Sequence, residues 1–122
     1  MPHIRVIYPN NREDVKKILR DNRGVIRGTL AEFLDCSAEQ IALIPEPLSP
    51  EALEFAENIL PLELVIETGD YPEDGLDDIL SNDFVKRLLL NCESLKTINF
   101  GVWIKQPKSN GFTEYMPEKL KG

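Results

Sequence analysis

Histidine is almost absent from this chain: His3 is the only one among 122 residues. A metal site built from histidines is therefore excluded, and a Ser-His-Asp arrangement would have to be built on His3 itself. Cysteine is scarce too. Cys36 and Cys92 have no spacing that resembles a zinc site. Two thiols in a chain with no recognisable leader read as small buried apolar residues rather than a disulfide. Neither common glycine-rich phosphate loop is present. Positive charge is outweighed, 14 Lys and Arg against 21 Asp and Glu, for a formal net charge of −7. No basic stripe is evident to release counterions from a phosphate backbone, so neither nucleic-acid binding nor docking on anionic lipid is expected. No apolar run approaches the ~20 residues that span a bilayer. Met1-Pro2-His3-Ile4-Arg5 lacks the basic-then-apolar layout of a signal peptide, and the expectation is a cytoplasmic protein. These absences remove most familiar enzyme chemistries, and no cofactor or metal is expected.

What is present is a repeated alternation of strands and helices. His3-Ile4-Arg5-Val6-Ile7-Tyr8 alternates and is rich in β-branched residues, which predicts a first strand. Asn11 is the expected N-cap of a helix, with Glu13 and Asp14 in the first turn where the helix dipole favours negative charge. Val15, Ile18, Leu19, Ile26, Leu30, Phe33 and Leu34 then recur at helical spacing, and Lys16, Lys17, Arg20, Arg23 and Arg27 fall between them as solvated surface. Gly24 and Gly28 inside this helix suggest close packing on a neighbour, since each costs about 1 kcal/mol against Ala. Residues 40–44 predict a second strand ended by Pro45 and Pro47. Pro50 opens one short helix in a connector. Leu62 to Glu67 reads as a third strand. Residues 73–95 read as a second long helix, which Gly75 or Ser81-Asn82-Asp83 could interrupt. Residues 97–105 read as a fourth strand, and Phe112 to Tyr115 as a short extra one.

The expected fold class is α+β: tandem βαβ units forming one four-stranded mixed sheet with two helices on one face. The expected organisation is a single domain, with βαβ units at 1–47 and 61–105, a connector at 48–60 and a tail at 106–122. Leu34-Asp35-Cys36 echoes Leu90-Asn91-Cys92, each before a strand, as an internal repeat would. Right-handed crossovers put both long helices on one side. The other side is left bare and partly apolar, which points to oligomerisation.

Pro2 offers a distinct chemistry. Removal of Met1 would free a secondary amine at the head of a strand. Such an amine titrates near ~8, and an apolar pocket beside a cation lowers it, because both disfavour the ammonium form. An amine tuned towards neutrality can take a proton alpha to a carbonyl and return it elsewhere, or attack the carbonyl itself.

Met1-Pro2-His3-Ile4-Arg5-Val6 resembles the opening of the tautomerase superfamily, whose members begin with proline on a first strand. Arg12 follows at the distance at which the small 4-oxalocrotonate tautomerases carry a carboxylate-binding arginine. An arginine suits that task because its planar fork holds a carboxylate through two hydrogen bonds. The doubled βαβ plan is similar to the long branch of the superfamily, which includes macrophage migration inhibitory factor, 5-carboxymethyl-2-hydroxymuconate isomerase and malonate semialdehyde decarboxylase, all homotrimers. Ile98-Asn99-Phe100 resembles a strand of the migration inhibitory factor whose asparagine lines a neighbouring subunit's pocket, and Gly111-Phe112 resembles its C-terminal region.

The resemblance implies a homotrimeric tautomerase, an isomerase that moves a proton between the keto and enol forms of a 2-oxo acid. Pro2 and Arg12 are the catalytic residues it implies, and Asn99 the one that lines the substrate pocket; Trp103, Lys105 and Tyr8 are further substrate-binding candidates by their own positions, with Phe112 and Tyr115 as additional pocket candidates. The chain also departs from the pattern. Ala42 stands where the small enzymes have a second arginine, and the third strand carries Glu63 and Glu67 in place of an arginine pair. Lys105 and Arg5 are the candidates to replace these cations, and Glu63 and Glu67 to polarise a water. A Pro2-dependent lyase or hydratase is the variant reading. A non-catalytic oligomeric binding protein that keeps the fold is the competing one.

Overall fold

The computed structural model describes residues 2–55, 59–69, 77–105 and 110–118. Strand β1 (His3–Pro9) leads through a tight turn, in which the Arg12 N–H donates to the Pro9 carbonyl, into helix α1 (Glu13–Leu34). Strand β2 (Ala42–Leu48) is followed by the short helix α2 (Pro50–Phe55) and strand β3 (Leu62–Glu67). Helix α3 (Asp77–Asn91) precedes strands β4 (Phe100–Lys105) and β5 (Asn110–Tyr115). The sheet order is β2-β1-β3-β4-β5. Within each βαβ unit the strands are parallel, β1 with β2 and β3 with β4, and the two units join through antiparallel β1 and β3.

Alternation along each strand divides the sheet into two faces. Ile4 and Val6, Leu62, Leu64 and Ile66, and Phe100, Val102 and Ile104 are buried on one face. Val15, Leu19, Ile26 and Leu30 of α1 and Phe84, Val85 and Leu88 of α3 close the core over them. On the opposite face lie Arg5, Ile44 and Glu46, Val65 and Glu67, and Trp103 and Phe112. No described helix is packed there.

Several expectations are corrected. The described residues form five strands and three helices, not four and two: the tail pairs antiparallel with β4 as a full strand. Ser81 does not break α3; its hydroxyl is buried and lies 2.7 Å from the Thr113 hydroxyl, pinning the helix to β5. Pro45 and Pro47 do not end β2. They sit inside it, because β2 is an edge strand and needs ladder donors on one side only. Arg12, not Asn11, occupies the N-cap position of α1, and its side chain makes no capping bond. The end of α1 is set by Asp35, whose left-handed backbone (φ 51°) turns the following N–H, that of Cys36, back to the Ala31 carbonyl at 3.2 Å. A Cβ at Gly24 or Gly28 would meet nothing within 4 Å, so neither glycine is there for packing among the described residues.

Candidate functional site

Pro2 heads β1, a central strand. It is half-buried, and its carbonyl accepts the Ala42 N–H at 3.4 Å. The peptide group that carries this N–H also carries the Ile41 carbonyl, and that oxygen accepts Arg27 Nε at 3.0 Å. The other arm of Arg27 donates to the Ala38 carbonyl at 2.9 Å. A guanidinium therefore stands two hydrogen bonds from Pro2, linked to it through one peptide. Helical spacing alone assigns Arg27 to solvated surface. Its role is a tertiary one, since the carbonyls it binds lie 11 and 14 residues further along the chain.

The first row of the sheet beyond Pro2 is Ala42, His3, Glu67 and Lys105. Lys105 is two strands from His3, about 10 Å across the ladder; it is exposed and forms no ion pair among the described residues. Glu67 is committed. It lies 3.5 Å from His3 Nε2 and accepts from Arg5 at 3.4 Å. Arg5 in turn grips both oxygens of Glu46, at 2.8 and 3.0 Å. This bidentate bond raises the Arg5 pKa further above its ordinary value and lowers that of Glu46. Arg5 is thus no substitute substrate cation, and Glu67 is no spare carboxylate for activating water. Glu63 lies opposite Ile7, nearer the other end of β1.

Arg12 lies at that other end. The seven residues of β1, at about 3.3 Å each, keep it roughly 23 Å from Pro2 of the same chain. Its guanidinium also forms a fork with Asp14, at 3.0 and 2.8 Å. That hydrogen bonding raises the Arg12 pKa and holds the Asp14 carboxyl down at about 2. Asn99 shares this end of the sheet, because β4 runs parallel to β3 and β3 antiparallel to β1. Its side-chain oxygen is buried and has no hydrogen-bond partner among the described residues. Tyr8 is at the same end. The structure thus gathers Tyr8, Arg12 and Asn99 at one end of the sheet and Pro2 and Lys105 at the other.

Trp103 is half-buried on the open face, with its ring 4.4 Å from that of Phe112 at 36°. Gly101 makes this stack possible: a Cβ there would come within 2.7 Å of the Phe112 ring and 2.9 Å of Leu60. Tyr115 belongs to the helix-covered side, where it packs on Phe100 and donates its hydroxyl to the Lys96 carbonyl at 3.4 Å. Cys36 and Cys92 are both free thiols.

No family model matches this chain, and no curated protein matches it. Among solved structures it is similar to an F6 fused 4-OT wild-type asymmetric trimer: 14% identity, 98% of this chain and 99% of that chain covered, TM-score 0.48. It is also similar to native Ps01740, at 8% identity, with 98% of this chain and 96% of that chain covered and a TM-score of 0.43. Among the described residues no helix is long and apolar enough to cross a membrane, and no group of three or more His, Cys, Asp or Glu is placed to hold a metal ion.

Proposed function

We propose that the chain is a tautomerase-type isomerase acting on a 2-oxo acid. In this reading Met1 is removed and the Pro2 nitrogen is the general base. It takes the enol hydroxyl proton and delivers a proton to the neighbouring carbon, or runs the reverse. The observation that carries the reading is the seat of Pro2. It heads a central strand in a sheet of two joined βαβ units, half-buried, with its carbonyl tied to Ala42 and Arg27 held by the same peptide. Partial burial favours the neutral amine that a base must be.

Arg12 is the proposed carboxylate clamp. Because β1 holds it roughly 23 Å from Pro2 of its own chain, the clamp comes from a second copy. The reading therefore requires an oligomer, proposed as a homotrimer, with Asn99 and Tyr8 arriving beside Arg12. A second reading, an oligomeric binding protein without catalysis, is favoured by one observation: Arg12 and Arg5 already hold carboxylates of their own chain.

Phenylpyruvate or 2-hydroxymuconate ketonisation separates the two, compared between wild type and Pro2→Ala after intact mass has shown Met1 to be gone. Base catalysis by Pro2 should make the variant at least about a hundredfold slower. Equal rates, or a retained Met1, would leave the binding reading ahead.

A further inference from the structure

Between α1 and the edge strand β2 runs an open-sided cleft of about 730 Å³. That volume falls within the range of small-molecule sites. Pro2 does not line it. The floor and the β2 wall are apolar, supplied chiefly by Val6, Leu19, Ile41 and Leu43. Outboard, Ala42, Ile44 and Pro45 of β2 are exposed.

The other wall is cationic. Lys16, Arg20, Arg23 and Arg27 line it, against Glu39 as the one lining carboxylate. Their spacing, i, i+4, i+7 and i+11, places all four along one side of α1. This is a local reversal of sign in a chain of net charge −7. Like charges three and four apart on a helix repel one another, so such a row has an energetic cost. The acids of α1 do little to offset it. Asp14 is held by Arg12 and Glu32 by Arg87, Asp21 forms no ion pair among the described residues, and Glu13 pairs with Lys16 at 3.1 Å. Arg27 is engaged by backbone carbonyls. Arg20 and Arg23, both exposed, have no hydrogen bond or ion pair among the described residues.

We infer that this cleft is a binding site for a small carboxylate with an apolar body, separate from the site at Pro2. Two adjacent unpaired guanidinium groups suit a carboxylate, which accepts paired N–H bonds from an arginine fork. The apolar wall facing them takes an acyl or aryl body. The inference does not depend on catalysis by Pro2.

Calorimetric titration of the full chain with decanoate tests it, with 1-decanol as the uncharged counterpart. Saturable decanoate binding is expected, at least tenfold tighter than decanol. The Arg20→Glu/Arg23→Glu double variant should bind decanoate at least tenfold more weakly with an unchanged circular dichroism spectrum, since both residues are exposed. Pro2→Ala should bind as wild type does. Absence of saturable binding, equal affinity for decanol, or an unaffected double variant would overturn the assignment. So would loss of binding in Pro2→Ala, which would place the anion at the head of β1.

Discussion

Arg12 is a residue with two claims on it. In this structure its fork is closed on Asp14, yet the proposed chemistry needs the fork for a substrate carboxylate. The two carboxylates compete, so Asp14→Asn should lower KM for a 2-oxo acid. The pair also leaves a mark on titration. The folded-state pKa of Asp14 is depressed to about 2, first by the hydrogen bond from Arg12. An unfolded Asp titrates near ~3.9, so the folded chain binds fewer protons in between. The stabilisation from this pair is therefore present above about pH 4 and is lost as pH falls towards 2. It is modest, because both partners are largely exposed. NMR titration of Asp14 in Arg12→Ala should show its pKa return towards 3.8. Gly101 carries a different constraint. Gly101→Ala should cost about 1–3 kcal/mol by overpacking, at the lower end because ring and methyl tips can shift. A changed Trp103 emission should report the displaced Phe112 ring.

At the scale of elements, strands with one buried face were the most legible. Leu62 to Glu67 was readable to the residue, because a run rich in Leu, Val and Ile is bounded by Pro61 and Gly69. Strand β2 was read short, since its two prolines look like stops unless the strand is known to be an edge. The repeat was legible through its helix ends: Cys36 and Cys92 each precede a 3-10 turn and then a strand. The cationic row on α1 was present in the spacing of residues 16, 20, 23 and 27, but net charge concealed it, and only the outboard position of β2 turns it into a cleft wall. Arg27 was not legible, because the partners that define its role are backbone carbonyls, which carry no sequence identity. The glycines of α1 were readable as helical but not as unpacked. Gly24 is exposed with open space about its Cβ position, so Gly24→Ala should stabilise the chain by about 1 kcal/mol. That corresponds to a rise in Tm of about 3–6 °C by thermal denaturation.

For the whole molecule, the open sheet face and the separated site belong to one question. That face has a charged half, where Arg5 ties β2 to β3 through Glu46 and Glu67, and an apolar half around Val65, Trp103 and Phe112. Asn99 leaves a buried carbonyl without a donor among the described residues, and an unpaired buried acceptor is costly unless something reaches it. Both features fit a surface completed by another copy. The proposed pairing of Pro2 with Arg12 makes the same demand, since the length of β1 holds the two apart within one chain. The most direct test is complementation. Pro2→Ala and Arg12→Ala chains, each impaired alone in phenylpyruvate ketonisation, are unfolded, mixed and reassembled. A site built across copies should return about a quarter of wild-type activity in the mixed oligomer, because random mixing pairs an intact Pro2 with an intact neighbouring Arg12 at that frequency. A mixture no more active than its parents, or parents as active as wild type, would contradict the account.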